Sequence, residues 1–141
     1  MQLTYTSSAK QEVTPSLVID ILEAARRNNA QMGVTGLLYC ANARFAQVLE
    51  GPVDAVEQIF AKIAEDPRHW NLVAQRYESG ERMFSNWAMT FVDASSVEMA
   101  LVLMKHETDT YDPTRWRTAE VLPILTSVAA GIRGEAIPIR Y

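Results

Sequence analysis

The order of the strand-like and helix-like segments limits the possible folds more than any other feature of the sequence. Short runs rich in β-branched and aromatic residues alternate with two amphipathic segments, in the order strand, helix, strand, strand, helix, strand, strand. This order is typical of an α+β ferredoxin-like sandwich with one added strand. We therefore predict a five-stranded mixed sheet that carries both helices on one face.

Capping residues and prolines mark the ends of these two helices. Thr14 and Pro15 are residue types preferred at the cap and at the first helical position, and Gly33 suits a helix end. The second helix begins just after Gly51, and Pro67 stops it because a proline ring cannot be accommodated in a helix interior. Asn42 lies in a short hairpin link and tolerates a left-handed backbone. The strands are expected at residues 3–7, 34–40, 44–49, 71–77 and 84–92.

The C-terminal part of the chain is helical in character. Residues 97–104 are apolar almost all round, which is typical of a helix buried on several sides. Asp112 and Pro113 begin another helix, which Pro123 should kink or shorten. Because the first two helices occupy one sheet face, we expect this pair on the other face, with apolar surface left for a second subunit.

The length of the chain is sufficient for one core. With 141 residues, of which 48% are hydrophobic, two independent domains are not expected. We expect the sandwich to span residues 1–94 and a helical extension, packed on the same domain, to span residues 95–141.

Charge and cysteine content exclude several classes of protein. The net charge of −4, with acidic and basic residues interspersed, gives no extended positive field for nucleic acid. Cys40 is the only cysteine, which excludes an internal disulfide framework and a multi-cysteine metal site. The first residues do not form a basic region followed by an apolar stretch, and no apolar run approaches membrane-spanning length, so we expect neither a secreted protein nor a membrane span. We expect a cytoplasmic protein with no metal and no membrane contact.

Polar residues occupy positions where the periodicity expects apolar ones. Helical stripes end in Asn28, Asn29 and Asp66, and strand alternation turns Tyr5 and Gln47 towards apolar neighbours. A buried group left unsatisfied costs about 1 to 3 kcal/mol, so each must find a partner. Taken singly, each of these residues could be satisfied by local groups. Together they indicate a planar heteroaromatic ligand with donors and acceptors at its edge.

By the same alternation, the last strand places its large apolar residues on one face: Trp87, Met89 and Phe91.

The chain resembles the BLUF family, sensors of blue light using FAD, over about its first two-thirds. The resemblance rests on the order and spacing of several short motifs rather than on any one of them. The matching stretches are Leu3-Thr4-Tyr5-Thr6-Ser7, Asn28-Asn29, Gly33-Val34-Thr35-Gly36-Leu37-Leu38, Phe45-Ala46-Gln47-Val48-Leu49-Glu50-Gly51, Asp66-Pro67-Arg68-His69 and Phe84-Ser85-Asn86-Trp87-Ala88-Met89.

The resemblance implies a fold, a cofactor and a site. It implies that residues 1–94 bind an oxidised flavin between the two helices, FAD or else FMN or riboflavin. Tyr5 would donate an electron and a proton to the photoexcited ring, and Gln47 would bridge Tyr5 to flavin N5 and the C4 carbonyl. The other cofactor-binding residues would be Asn28 and Asn29 at the carbonyl and N3 edge, Asp66 and Lys62 near the ring or ribityl chain, and Arg68 and His69 towards the phosphate end.

These residues lead to a hypothesis for the light signal. After charge recombination Gln47 would remain rotated or tautomerised, so that the C4 carbonyl gains a hydrogen bond. Trp87 and Met89 would relay the change, since either could take the place beside Gln47 and move the strand against the C-terminal helices. We expect a photoreceptor rather than an enzyme, a separate effector protein as partner, and a homodimer or higher homo-oligomer.

Three other functions are alternatives for the same residues. A constitutive flavin redox protein could use the same pocket, although it would need room for a substrate or a second cofactor. An acylphosphatase-like enzyme would need an arginine in a phosphate-cradling loop after the first strand. The stretch at that position, Ser8-Ala9-Lys10-Gln11, contains neither arginine nor glycine. A plain protein-interaction module would leave the buried polar cluster unexplained.

Overall fold

The computed structural model describes residues 1–78, 81–84, 87–108 and 110–134, with the side chain of Glu98 left out. Two motif residues, Ser85 and Asn86, and the end of the predicted extension, 135–141, lie outside the described residues. The strands are β1 Gln2–Ala9, β2 Thr35–Ala41, β3 Arg44–Glu50, β4 His69–Tyr77 and β5 Thr90–Asp93. The helices are α1 Pro15–Met32, α2 Val53–Glu65, α3 Val97–Lys105 and α4 Thr118–Ile132, with a 3-10 turn at Pro113–Arg115.

The strands form one mixed sheet in the order β4-β1-β3-β2-β5. The β2–β5 pair is parallel and the other pairs are antiparallel. One apolar cluster joins the sheet to α1 and α2, and a second joins the opposite face to α3 and α4. The predicted ferredoxin-like α+β sandwich, with its C-terminal helices on the other face, is confirmed. None of the described helices has both the length and the apolar character needed to cross a membrane.

The local signals at the ends of α1 and at the hairpin act as predicted. Thr14 caps α1, its hydroxyl oxygen accepting a 3.2 Å hydrogen bond from the backbone N–H of Leu17. Gly33 ends the helix with a φ of 69°, a left-handed conformation that glycine adopts without a steric penalty. Asn42 and Ala43 form the hairpin link with φ values of 46° and 63°. These turns fix where the chain reverses and therefore which faces the strands present.

The last strand is shorter than predicted, and its preceding residues do not follow strand alternation. β5 covers Thr90–Asp93 only, so Trp87 and Met89 lie before it. Met89 packs in the apolar cluster beneath α1 and α2, whereas Trp87 packs against the cluster on the α3 and α4 face. The prediction that these two side chains share a face with Phe91 is wrong for Trp87. Strict alternation requires an unbroken ladder, and the chain before Thr90 is held partly by side-chain donors from α1.

The predicted helix after Asp112 is divided into two pieces. The Asp112 carboxylate accepts a 2.9 Å bond from the backbone N–H of Thr114 and caps the short 3-10 turn. α4 then starts at Thr118 and continues past Pro123 to Ile132, so the proline does not end it. The proline removes one backbone hydrogen bond, but burial of the α4 side chains on both sides of it outweighs that loss.

Candidate functional site

A cavity of about 950 Å³, its open mouth included, lies between α1 and α2 above the sheet. Its walls are apolar and are provided by both helices and by the sheet. Ala24 and Ala25 on α1 are small, which leaves room for a flat group between the helices. Every residue predicted to bind the cofactor lines this cavity: Tyr5, Asn28, Asn29, Gln47, Lys62, Asp66, Arg68 and His69.

Tyr5 and Gln47 stand side by side on the floor of the cavity. They are direct cross-strand partners in the antiparallel β1–β3 ladder and are 5% and 4% exposed. Partners of this kind have Cβ atoms about 4.5 to 5.5 Å apart, within reach of one another's side chains. The Gln47 carboxamide donates from Nε2 to the Met89 sulfur at 3.3 Å. A hydroxyl, a carboxamide and a thioether therefore lie in sequence beside the cavity.

The environment of Tyr5 keeps its phenol protonated. Burial raises the pKa of Tyr5 well above its ordinary value, and the nearby Asp66 carboxylate raises it further. The Tyr5 ring lies 5.8 Å from the Phe60 ring and 6.1 Å from the edge-on His69 ring. Because a phenolate is strongly disfavoured here, the hydroxyl proton of Tyr5 does not leave on its own.

The charged residues of the site cluster at the turn between α2 and β4. The Arg68 guanidinium bonds both oxygens of Asp66, with a closest distance of 2.6 Å from Nη2 to Oδ2. This bond holds the pKa of the Asp66 carboxyl below its usual value, against the opposing effect of partial burial. Lys62 is exposed on α2 at the border of the same cavity. Positive and negative side chains therefore lie together at this part of the cavity's edge, the charged rim.

His69 is oriented by two contacts from its own domain. Its Nε2 lies 2.6 Å from the Ile63 carbonyl, and its Nδ1 lies 2.9 Å from the Ser7 hydroxyl oxygen. Because a carbonyl only accepts, Nε2 carries a proton and donates it. In the neutral ring Nδ1 then accepts from Ser7. Both ring nitrogens are thus engaged by protein groups, and the ring presents an edge to Tyr5.

The two asparagines at the end of α1 differ in burial. Asn29 is 1% exposed and donates from Nδ2 to the Ala88 carbonyl at 2.7 Å, while Asn28 is half-buried. A carboxamide carries two donor hydrogens and an acceptor oxygen, so this bond leaves groups that can serve a ligand. Asn29 therefore touches both the cavity and the segment that leads into β5.

Two residues that hold the chain before β5 in place were missed by sequence reasoning. Arg26 donates from Nε to the Met89 carbonyl at 3.0 Å, and no local pattern indicates this contact. Glu50 is 1% exposed and its carboxyl group accepts hydrogen bonds from four groups. Its donors are the backbone N–H groups of Met83 and Phe84, at 2.9 and 2.7 Å, and the side chains of Gln2 and Thr35, at 3.2 and 2.9 Å. Glu50 continues the apolar alternation of β3 on the other face, a signal that could have revealed it.

Trp87 lies on the opposite side of the sheet from the cavity. It packs against the cluster beneath α3 and α4, and the Arg133 guanidinium stands 5.6 Å above its ring. Arg133 also donates to the Met83 carbonyl at 2.8 Å, which ties the end of α4 to the same segment. Of the two predicted relay residues, the structure places Met89 beside Gln47.

The donor set and the cavity walls fit an isoalloxazine ring. A flat tricycle with carbonyl and ring-nitrogen acceptors requires apolar faces and a few donors at its edge, and the carboxamides of Asn28, Asn29 and Gln47 provide such groups. The charged rim at Lys62 and Arg68 suits the phosphate of a flavin nucleotide.

Comparison with known proteins gives the same assignment. The family model of BLUF, sensors of blue-light using FAD, matches residues 1–90. Photoactivated adenylate cyclase subunit beta from Euglena longa is 42% identical over 71 residues, which make up 50% of this chain and 8% of that protein. The chain thus spans less than a tenth of that relative.

Two short proteins match over nearly their whole length. The photo-activated state of BlsA superposes with a TM-score of 0.79 at 29% identity, covering 91% of this chain and 93% of the other. The dark-state structure of BlrB, a BLUF protein, superposes with a TM-score of 0.76 at 26% identity, covering 92% and 95%. The chain therefore belongs to the BLUF family, the flavin-binding sensors of blue light.

Proposed function

We propose that this chain detects blue light through a flavin held between α1 and α2, and that it signals to a separate protein instead of catalysing a reaction on a substrate. The observation that carries the proposal is the cross-strand pair of Tyr5 and Gln47 on the floor of a cavity suited to a flat ring. FAD is the expected cofactor. FMN or riboflavin would use the same ring contacts, because the cavity opens to solvent at its mouth.

The cavity residues divide the work of holding the cofactor. Asn28, Asn29 and Gln47 would bind the polar edge of the ring through their carboxamides. Lys62, Asp66, Arg68 and His69 would surround the ribityl and phosphate portion, where their charges and hydrogen-bonding groups are concentrated. The apolar side chains of both helices would exclude water from the ring faces, which strengthens the polar contacts at its edge.

The chemistry of the chain's own residues begins at Tyr5. When bound, the oxidised flavin supplies the absorption of blue light and the acceptor for one electron. Tyr5 would give up an electron to the excited ring and its hydroxyl proton towards Gln47, and because burial disfavours the phenolate, the proton would not leave before the electron. The Gln47 carboxamide would accept this proton at its oxygen and release an N–H proton towards the ring, so that the proton and the electron would reach the same acceptor. Both charges would then return to Tyr5, and Gln47 would be left rotated or tautomerised, with a donor available to the C4 carbonyl.

The change at Gln47 reaches the rest of the protein through Met89. A rotated carboxamide turns Oε1 towards the Met89 sulfur, where Nε2 donates in the structure, so the 3.3 Å hydrogen bond is lost. A net hydrogen bond is worth about 0.5 to 1.5 kcal/mol, which is enough to shift an element already near balance. The short segment from Trp87 to β5 contacts both faces of the sheet and would pass the shift to α3 and α4.

The output would be read on the C-terminal helices. Val97 and Met104 on α3 are 71% and 61% exposed, which leaves apolar surface that an effector protein or a second subunit could cover. The chain would form a homodimer or a higher homo-oligomer. It would bind neither nucleic acid nor membrane.

The first test is the visible absorption spectrum of the purified protein before and after blue light. We expect a flavin band that moves slightly to the red and returns in darkness, because a stronger bond at the C4 carbonyl changes the ring without a covalent product. A colourless protein that does not take up added flavin would contradict the proposal. A bound flavin indifferent to light would instead favour a redox carrier.

A further inference from the structure

Three consecutive peptide carbonyls just before β5 are each held by a different donor. Two of the donors are side chains one turn apart on α1, and the third is a backbone N–H of β2. The bonds run from Gly36 N to Trp87 O at 2.9 Å, from Asn29 Nδ2 to Ala88 O at 2.7 Å, and from Arg26 Nε to Met89 O at 3.0 Å.

The Met89 side chain is confined at its other end. It is 2% exposed and its sulfur accepts from Gln47 Nε2. Its terminal methyl group lies against Gly36, where an added Cβ would stand 3.3 Å from that methyl and only 2.0 Å from the Val48 carbonyl oxygen. Only glycine, which has no Cβ, leaves room here for the carbonyl oxygen and the methyl group. The position of the sulfur is therefore set by the close approach at Gly36 and by whatever fixes the Met89 backbone.

Arg26 fixes that backbone from outside the cavity. It is exposed on α1 and is not among the residues that line the cavity, yet its guanidinium reaches the Met89 carbonyl. Hydrogen bonds from a charged donor are roughly twice as strong as those between neutral groups. Asn29 holds the neighbouring carbonyl but also faces the cavity, so its substitution would change cofactor contacts as well. Among the described residues, Arg26 is the side-chain donor that holds the Met89 backbone without lining the cavity.

We propose that Arg26 is a positioning residue of the photocycle: by holding the Met89 carbonyl it keeps the Met89 sulfur in place as the acceptor for Gln47. The inference rests on the proposed function. In the rotated state two acceptors, Oε1 of Gln47 and the Met89 sulfur, face each other, so Met89 must move away. The Arg26 bond opposes that movement and thereby raises the rate at which the light-induced state returns to the dark state.

The kinetic test compares Arg26→Ala with its exposed neighbour Arg27→Ala. Flavin absorbance is followed in darkness after a blue-light pulse. We expect recovery about three- to tenfold slower in Arg26→Ala, the effect of one lost charge-assisted bond, and unchanged in Arg27→Ala. Arg26→Lys retains a charged donor and should recover at an intermediate rate. The size of the red shift should be the same in all of these proteins, since Arg26 does not touch the cavity.

A second readout follows Met89 itself without light. The ¹³C-methyl NMR signal of Met89, assigned by its absence in Met89→Leu, is recorded on the full chain kept in darkness. We expect it to move or broaden in Arg26→Ala and to stay in place in Arg27→Ala. An unchanged recovery rate or an unchanged methyl signal in Arg26→Ala overturns the inference, as does an equal change in Arg27→Ala. A wild-type flavin band indifferent to light overturns the proposed function, while the methyl signal still tests the position of Met89.

Discussion

Each face of the sheet carries a buried tyrosine, and the two differ in their surroundings rather than in their burial. Tyr5 lies beneath α1 and α2, and Tyr39 lies beneath α3 and α4. Burial raises the pKa of both phenols far above the ordinary value. The Tyr39 hydroxyl donates to the Tyr111 carbonyl at 2.6 Å, and its ring stacks on Trp116 at 5.2 Å. Tyr5 borders a cavity beside a carboxamide that can turn. The two phenols therefore differ in what lies within reach: Tyr39 has a fixed acceptor, and Tyr5 has a cavity and a carboxamide.

The two faces of the sheet also differ in how completely side chains fill their cores. Beneath α4 the side chains of Ile124, Leu125 and Val128 are fully buried and fill the space against the sheet. Beneath α1 and α2 much of the equivalent space is the cavity, bounded by alanines and carboxamides. Close packing stabilises the first face, while the second gives up part of that stabilisation to make room for a ligand.

The sharpest way to break this comparison is to remove one hydroxyl from each face. Tyr5→Phe should abolish the light-induced red shift while flavin still binds, because it removes both the electron donor and the oriented proton. Tyr39→Phe should keep the shift and lower the free energy of unfolding by about 0.5 to 1.5 kcal/mol, the value of one hydrogen bond. Light-minus-dark spectra and urea unfolding measure the two effects. A normal photocycle in Tyr5→Phe, or its loss in Tyr39→Phe, would remove the distinction between the faces.

A matched pair of isoleucines tests the packing difference. Ile124→Ala should lower the free energy of unfolding by about 2 to 5 kcal/mol, because it opens a hole in a filled core. Ile59→Ala should cost less, since Ile59 already lines the cavity, and it should also weaken flavin binding. Urea unfolding at equal flavin concentration and a flavin titration give both numbers. Equal destabilisation by the two substitutions would show that the cavity face is as tightly filled as the other.

The smallest expected effect concerns the charged rim of the open face. Arg68 lowers the pKa of Asp66, so their pair adds stability above the unfolded pKa of the carboxyl, and that stability is lost as pH falls through the lower folded value. Because these side chains are 40% and 27% exposed, screening limits the contribution to at most about 1 kcal/mol.

The corresponding measurement is urea unfolding of wild type and Arg68→Gln from pH 7 to pH 3. The difference between them should be constant near neutral pH and should shrink below about pH 4. Arg115→Gln, an exposed substitution on the other face, should show no such dependence. A difference in unfolding free energy that grows on acidification would mean that the pKa of Asp66 is raised in the folded protein instead of lowered.

The parts of the fold that local periodicity determines were predictable from the sequence. Alternation along β1 and β3 placed Tyr5 and Gln47 on the cavity face, and helical spacing brought Asn29 to the same place, because each regular element fixes the direction of its side chains. Trp87 could not be assigned to a face, since the chain before β5 follows contacts with α1 and β2. Alternation along β3 could have marked Glu50 as buried, but two of its donors, the backbone N–H groups of Met83 and Phe84, lie more than 30 residues away and outside any local window.

The length of β5 also has a consequence for the energy of the signal. This strand has four residues and stands at the edge of the sheet, where β2 is its one partner within the described part of the chain. Segments of this kind open locally at a free energy far below that of global unfolding, and amide hydrogen exchange reports that difference. One turned carboxamide releases too little energy to displace a long central strand. Under the proposed mechanism, a short strand at the edge of the sheet is the element that so small an energy would displace, and the other four strands would keep the flavin site intact.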